Sequence, residues 1–102
     1  MRLDDKTLPA MDIASRFGQN LVRARKRANL SQEELAYHAA LHRTEIGLLE
    51  RGARIPRIDT LVKLAGALSI PPNELIEGID WTPGNFTTGS FSVAPGGDPQ
   101  SN

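Results

Sequence analysis

The segment SQEELAYHAALHRTEIGLLERG, residues 31–52, carries the strongest structural signal in the chain. Ser31 and Glu34 form an S-x-x-E capping box, which marks the start of a helix. A turn is expected near residues 39–41. Gly52 then ends a second short helix, as a glycine that follows a helix C-cap does. The segment therefore predicts two short helices joined by a tight turn, a helix-turn-helix.

The second helix of this motif, predicted over residues 43–51, has an inward and an outward side. Ile46 and Leu49 are expected to face the core. Four residues form the outward side: Arg43, Thr44, Glu45 and Leu48. A helix this short is not stable in isolation, so packing against its neighbours must hold it in place. Such a helix presents a few outward side chains to a groove.

Hydrophobic periodicity and turn signals predict three further helices. The first covers residues 13–29 with Asp12 as its N-cap, the fourth covers 58–68, and Pro71-Pro72 opens a fifth over 72–78 because proline suits the first helical turn. No strand is predicted before residue 80. The residues expected to face the core are Phe17, Leu21, Ala24 and Ala28 on the first helix and Ile58, Leu61, Leu64, Ala65 and Leu68 on the fourth.

The two ends of the chain differ from the predicted helical domain, residues 13–79. Residues 1–12 are expected to form a flexible arm. In residues 82–102, seven of 21 positions are Gly or Pro and the only charge is Asp98, a composition typical of disorder. We therefore expect residues 80–102 to form a flexible tail. The alternative is an extended segment around Phe91–Val93 that pairs with another chain.

Charge is distributed unevenly along a chain whose net charge is zero. Between Arg16 and Arg57, nine basic residues stand against four acidic ones, whereas the sequence after residue 57 carries five acidic residues and only Lys63. Because salt screens charges beyond about 8–10 Å, a polyanion responds to the local field rather than to the net charge. The basic middle third therefore favours binding to phosphates, with a solvated helix face as the simpler alternative.

Several classes of protein lack support in the sequence. There is no long apolar run for a membrane span, no signal-peptide pattern in residues 1–12 and no cysteine; a cytoplasmic, nucleoid-associated protein without a membrane partner is therefore expected. No metalloprotease, P-loop or serine-hydrolase motif suggests an enzyme. His38 and His42 have no third ligand nearby, so neither a metal nor another cofactor is expected.

Three motifs make the chain resemble the Cro and phage-repressor type of helix-turn-helix regulators, the XRE family. They are LSQEELA at 30–36, LHRTEIGLLERG at 41–52, and PRIDTLVKLAGAL at 56–68 followed by NEL at 73–75. The resemblance covers about residues 17–79. It implies an all-α, five-helix bundle of the lambda-repressor type that binds double-stranded operator DNA, usually as a dimer.

Three positions depart from the pattern of that family. Ala40 stands in the turn where the family often has glycine, and alanine in a left-handed conformation costs roughly 1 kcal/mol more than glycine. Ser69 replaces a frequent helix-ending glycine. Arg57 stands where a serine N-cap is common, which weakens the start of the fourth helix and adds a cation near DNA.

The resemblance assigns base reading to the outward side of the second motif helix. Arg43 is the best candidate because arginine donates two bonds to guanine O6 and N7, with a phosphate contact as the alternative. Thr44 offers a hydroxyl and a methyl group. Glu45 either accepts from cytosine N4 or turns to a neighbouring cation. Leu48 either meets thymine methyl groups or packs inside the bundle.

Other positions are assigned to the DNA backbone or to the framework. The backbone candidates are Gln32, His42, Arg51, Arg54 and Arg57. Gln32 opens the first motif helix, and in the family a glutamine here also braces the first recognition residue. His42 is either a helix cap or a phosphate donor. The resemblance further implies that Arg25 and Glu50 form a partly buried structural ion pair rather than a DNA contact.

These observations predict a sequence-specific DNA-binding transcriptional regulator that binds an inverted repeat as a homodimer. Apolar residues left over after the core is assigned place the dimer interface at Leu75 or Ile76, together with Ile79 and Trp81, although Trp81 could instead fold back on its own helix. An antitoxin or a restriction–modification controller would share the domain. A different reading is a protein-interaction module that has lost DNA binding.

Overall fold

The computed structural model describes residues 11–94 as four α-helices, one short 3-10 helix and a β-hairpin. The elements in chain order are α1 (Ile13–Arg27), α2 (Gln32–Ala39), α3 (Arg43–Glu50), α4 (Ile58–Leu68), the 3-10 helix (Pro72–Ile76), β1 (Ile79–Pro83) and β2 (Gly89–Val93). Within this region no helix is long and apolar enough to cross a bilayer. The predicted arm is described only at residues 11 and 12, and residues 1–10 lie outside the described region.

The helix starts follow the predicted capping residues. The Asp12 carboxylate accepts a hydrogen bond from the Ser15 backbone N–H at 2.8 Å, and this bond lowers the pKa of Asp12. At α2, Ser31 Oγ accepts from the Glu34 N–H while Glu34 Oε1 accepts from the Ser31 N–H. The bond that the Glu34 carboxylate accepts from the Ser31 backbone N–H lowers the pKa of Glu34. Both predicted caps are thereby confirmed, and they set the first residue of each helix.

Three non-glycine residues adopt the left-handed conformation where a helix ends, and the first of them, Asn29, follows α1 with φ 64°. Ala40 follows α2 with φ 56°, and Ser69 follows α4 with φ 57°. Ala40 and Ser69 thus adopt a conformation that glycine enters more readily, and the chain accepts a small backbone cost at both positions. Arg57 precedes α4 without any side-chain capping bond, as its substitution for serine predicts.

One apolar core joins the four α-helices and the 3-10 helix. Its largest fully buried side chains are Phe17, Leu21, Leu35, Ile46, Leu49, Leu64 and Leu75. Two residues predicted to face this core do not. Ala28 is exposed because α1 ends at Arg27 and Ala28 is its C-cap, and Ile58 is 76% exposed because it opens α4 at the edge of the bundle. Periodicity identifies the buried face of a helix but not where its neighbours stop covering it.

The predicted fifth α-helix is wrong, because only a 3-10 turn forms over Pro72–Ile76. The Glu74 N–H donates to the Pro71 carbonyl at 3.0 Å, an i to i+3 bond. Neither proline supplies a backbone N–H, and Glu77 leaves the helical conformation with ψ 135°, so there are too few residues for an α-helix. The turn still contributes the fully buried Leu75 to the core.

The expected unstructured tail is also wrong for residues up to 93, so the fold is not strictly all-α. β1 and β2 pair antiparallel, with Ile79 opposite Val93 and Trp81 opposite Phe91. The Trp81 and Phe91 rings meet edge-to-face with centroids 5.0 Å apart, a favourable cross-strand contact. The alternative of an extended segment around Phe91–Val93 is thus half correct, since it pairs with its own chain. Residues 95–102 lie outside the described region.

Two buried polar side chains of α1 hold the base of this hairpin. Arg16 Nε donates to the Glu77 carbonyl at 3.0 Å, and its Nη1 donates to the Ala94 carbonyl at 3.3 Å. Asn20 Nδ2 lies 3.0 Å from the carbonyl oxygens of both Leu75 and Glu77. These bonds supply hydrogen-bond donors to carbonyl groups at the end of the 3-10 helix and at the base of the hairpin. The hairpin is therefore attached to the helical core through residues that flank its two strands, Glu77 and Ala94.

Replacement of this anchor should loosen the hairpin without unfolding the helices. We expect Arg16→Ala to lower the free energy of local hairpin opening by about 1–3 kcal/mol, because hydrogen bonds from a charged donor are lost and their acceptors remain. Hydrogen exchange at the amides of β1 and β2 measures this change. Gln19→Ala, an exposed change on the same helix, is the control, and unchanged hairpin exchange in Arg16→Ala would contradict the anchoring role.

Candidate nucleic-acid interface

The helix-turn-helix is built by α2, the left-handed turn at Ala40, and α3. The Leu41 N–H bonds back to the Ala36 carbonyl at 2.9 Å, which closes the end of α2. His42 is the N-cap of α3, and its Nδ1 accepts from the Thr44 N–H at 3.0 Å. The alternative that His42 caps the helix is thereby confirmed. In the neutral ring this bond leaves Nε2 as the N–H donor at the exposed edge.

α3 lies against α1 through an unusually close backbone approach. A Cβ atom at Gly18 would lie only 2.6 Å from the carbonyl oxygens of Leu49 and Glu50. Only glycine allows the two helices to come this close. The sequence signal for this contact is a lone glycine inside the periodic α1 pattern, and our prediction did not use it. Gly52 follows α3 with φ 73°, which confirms its predicted role as the terminating glycine.

Glu50, the last residue of α3, is the acceptor of a partly buried network. Arg25 of α1 donates from Nε to Oε2 at 2.6 Å and from Nη2 to Oε1 at 3.1 Å. The two side chains are 13% and 5% exposed. The structural ion pair implied by the family resemblance is thus present, and it excludes Arg25 from the solvent-facing cations.

Gln32 joins the same network from the first residue of α2. Its Nε2 donates to Glu50 Oε1 at 2.9 Å. The resemblance implied that this glutamine braces Arg43, the first residue of α3; here its amide binds the last residue instead. With Arg25, Gln32 ties α1, α2 and the end of α3 to one carboxylate.

The outer side of α3 contains the predicted base-reading residues. Arg43 and Thr44 are exposed, whereas Glu45 and Leu48 are only partly exposed. Arg43 Nη1 lies 3.5 Å from Glu33 Oε2, and Arg54 Nη1 lies 2.8 Å from Glu45 Oε1. Two of the cations predicted to contact DNA therefore face carboxylates in the free chain. Glu45 therefore adopts the second of its two predicted alternatives, in which the side chain turns to a neighbouring cation, here Arg54.

The remaining backbone candidates flank α3. Arg51 is its exposed C-cap. Arg57 is exposed at the N-cap of α4, where its Nε lies 3.2 Å from Asp59 Oδ1. The loop that follows α3 thus carries three arginines: Arg51, Arg54 and Arg57. Arg16, which the charge count included, is buried at the base of the hairpin, so it does not add to the basic surface.

The predicted dimer residues follow α4, with Ile76 at the end of the 3-10 helix and Ile79 and Trp81 in β1. Ile76 is exposed, Ile79 is partly exposed at the start of β1, and Trp81 is 52% exposed beside Phe91. Trp81 therefore does not fold back to close the core. Across residues 11–94 no group of three or more His, Cys, Asp and Glu side chains is placed to hold a metal ion.

Comparison with known proteins assigns this arrangement to a family. Residues 21–75, more than half of the chain, match the family described as Helix-turn-helix. The chain belongs to the helix-turn-helix family. The matched region extends from the middle of α1 to the buried Leu75 of the 3-10 helix, and the hairpin lies beyond it.

Individual relatives are named as control proteins or transcriptional regulators. Control protein C.BamHI of Bacillus amyloliquefaciens is 40% identical over 62 residues, covering 60% of this chain and 76% of the relative. The uncharacterised HTH-type transcriptional regulator y4dJ of Sinorhizobium fredii is 37% identical over 73 residues, covering 72% and 95%. The crystal structure of the restriction-modification controller protein C.AhdI from Aeromonas hydrophila is similar at a TM-score of 0.60 and 44% identity, covering 61% of this chain and 94% of that one.

Loss of the Glu50 carboxylate should destabilise the whole helical domain. We expect Glu50→Ala to lower the free energy of unfolding by about 3–5 kcal/mol, because Arg25 remains buried without its counterion. Glu33→Ala, which removes an exposed pair, should cost no more than about 1 kcal/mol. Denaturant unfolding followed by circular dichroism measures both. Equal losses in the two variants would show that the Glu50 network does not secure α3.

Proposed function

We propose that the protein is a transcriptional regulator that binds double-stranded DNA by placing α3 in the major groove. The observation that carries this proposal is the fixed presentation of Arg43 and Thr44 on the exposed side of α3, while the Glu50 network holds its last turn. Membership of the helix-turn-helix family supports it. A groove-binding helix needs this combination of a rigid inner side and exposed polar residues on its first turn.

Sequence reading falls to the first turn of α3. Arg43 donates two hydrogen bonds to a guanine, after the duplex has replaced its long contact of 3.5 Å with Glu33. Thr44 offers its hydroxyl to a base edge or its methyl to thymine. Glu45 and Leu48 lie at the inner margin of this side, where they limit which bases fit. Hydrogen bonds to base edges supply the discrimination between sequences, whereas phosphate contacts supply the position.

Phosphate contacts are supplied on both sides of α3. The N-terminus of α2, where Gln32 is the first residue, directs backbone N–H groups toward a phosphate. His42 donates from Nε2, because its Nδ1 is already occupied by the helix cap. Arg51 and Arg57 contact the backbone beyond the C-terminus of α3, whereas Arg54 in the same loop is paired with Glu45.

A homodimer on an inverted repeat completes the proposal. One recognition helix reads only a few base pairs, and two-fold dimers with half-sites about 34–36 Å apart overcome this limit. We place the interface at Ile76, Ile79 and Trp81, because Ile76 and Trp81 are exposed and Ile79 is partly exposed, and exposed apolar side chains are suited to a contact.

A restriction–modification controller is a more specific version of this function. Its support is the 40% identity to control protein C.BamHI and the likeness to the controller protein C.AhdI. A gene for a methyltransferase beside the gene for this protein would favour it, whereas a neighbouring toxin gene would favour an antitoxin. A protein-interaction module without DNA binding is favoured only by the carboxylates that face Arg43 and Arg54.

Binding to duplex DNA is tested first by selection from a random library. We expect an inverted repeat to be enriched, with affinity that falls steeply as salt rises because bound phosphates release counterions. A protein-interaction module would enrich no sequence and show no salt-dependent binding to random duplex.

Replacement of Arg43 should relax the sequence preference at one position of each half-site. Arg43→Ala is expected to cost about 1–3 kcal/mol on the selected site and much less on a site with that base pair changed. Lys63→Ala, which removes an exposed cation from α4, is the matched control. An equal loss of affinity on every sequence would make Arg43 a phosphate contact instead.

The dimer interface is tested at its two exposed members. Ile76→Ser together with Trp81→Ala should produce a folded monomer that binds the full inverted repeat no better than a half-site, because the exposed apolar contact is lost. Sedimentation and binding titrations measure these properties. Tyr37→Ala removes a large exposed ring from α2 and should leave the dimer intact. A dimeric double variant would place the interface elsewhere.

A further inference from the structure

An acidic residue lies among the groups proposed to contact DNA. Glu45 belongs to the first turn of α3, next to Arg43 and Thr44. Its Oε1 accepts a hydrogen bond from Arg54 Nη1 at 2.8 Å, and the two side chains are 23% and 52% exposed, respectively. This short, partly shielded contact is a charge-assisted hydrogen bond. It contrasts with the pair of Arg43 and Glu33, which are separated by 3.5 Å and are both largely exposed.

The Glu45–Arg54 pair changes what Arg54 contributes to binding. Non-specific affinity for duplex DNA depends on the cations that neutralise phosphates and release counterions. An arginine that is paired with a carboxylate must break that pair before it can contact a phosphate and release a counterion. The carboxylate is then left unpaired near the phosphates. Because Glu45 is fixed on the helix that enters the groove, it stays with Arg54 as the duplex approaches.

We propose that Glu45 is a specificity-determining residue that suppresses binding to arbitrary sequence by neutralising Arg54. This inference rests on the proposed function, since it concerns the same interface. On a selected site, base contacts from Arg43 and Thr44 supply affinity that does not need Arg54. On other sequences those contacts are missing, and the neutralised Arg54 does not compensate. The carboxylate therefore lowers non-specific affinity more than specific affinity.

The test is the isosteric, neutral substitution Glu45→Gln. On a random duplex we expect affinity to rise roughly 3- to 10-fold at about 0.1 M monovalent salt, because one additional phosphate contact forms per protomer. The plot of log affinity against log salt concentration should become steeper by about 0.9 per protomer. Affinity for the selected site should rise less, so that the ratio of specific to non-specific affinity falls. Fluorescence anisotropy with both duplexes measures all of these values.

Glu74→Gln is the matched control for the change of charge. Glu74 of the 3-10 helix faces Arg27 at the end of α1, with Oε1 and Nη1 3.7 Å apart. Both residues lie outside the helix-turn-helix. The substitution removes the same charge and also frees an arginine. It should leave the salt dependence on random duplex within error of the wild type, which separates a local effect of Glu45 from a general gain in positive charge.

A double-mutant cycle shows whether the effect passes through Arg54. In an Arg54→Ala background, Glu45→Gln should no longer steepen the salt dependence, because no arginine is released. Thermal unfolding by circular dichroism verifies that each variant is folded. A steeper salt dependence that persists without Arg54 would overturn the proposal.

The remaining outcomes separate this proposal from the proposed function. If wild type binds its selected site and Glu45→Gln leaves random-duplex affinity unchanged, DNA binding stands and the role of Glu45 is wrong. Relaxed preference at a cytosine in Glu45→Gln, without a gain on random duplex, would make Glu45 a base reader. If neither protein binds duplex at low salt, both proposals fail. Binding by Glu45→Gln alone would support suppression by Glu45.

Discussion

The carboxylate of Glu50 fixes the orientation of α3 relative to the other helices of the motif. Oε2 accepts from Arg25 Nε, and Oε1 accepts from both Arg25 Nη2 and Gln32 Nε2. A carboxylate with a side chain only 5% exposed requires such partners, because desolvation of an unpaired charge is costly. Its donors come from α1 and α2, so the three helices satisfy it only in one relative arrangement. The close approach at Gly18 belongs to the same contact, since the Glu50 carbonyl oxygen lies only 2.6 Å from where a Cβ of residue 18 would be.

Features that depend on neighbouring residues were predictable from the sequence. The caps at Asp12 and Ser31, the turn at Ala40 and the stop at Gly52 each involve groups within a few positions of one another. Their hydrogen bonds form whenever the local backbone adopts the helix end, and tertiary context changes them little. The four α-helices therefore lie where expected, with α1 ending two residues earlier than predicted, at Arg27. The family resemblance, rather than local chemistry, supplied the pairing of Arg25 with Glu50.

The hairpin was not predictable in this way, because contacts distant in sequence hold it. Composition favours disorder after Trp81, since the segment has too few apolar residues for a core of its own. Its stability comes instead from the Trp81–Phe91 contact and from Arg16, whose bonds reach 61 and 78 positions along the chain. An arginine in a basic segment also gives no sign that it will be buried. The same missing information made Arg16 look like a surface cation and residues 80–93 look like an unstructured tail.

The electrostatics of the interface follow from these placements rather than from the count of charges. Arg16 and Arg25 are committed to the framework. Four other arginines of the basic segment face carboxylates: Arg27, Arg43, Arg54 and Arg57. The attraction that α3 and its flanks exert on a distant phosphate is therefore weaker than nine basic residues suggest, and a zero net charge adds no long-range field. A duplex approaching such a surface gains little until it is close enough for directed hydrogen bonds to form. In the proposed function, recognition then depends on the fit between the first turn of α3 and the base edges, while the buried Glu50 network holds the last turn of α3 in place before any DNA arrives.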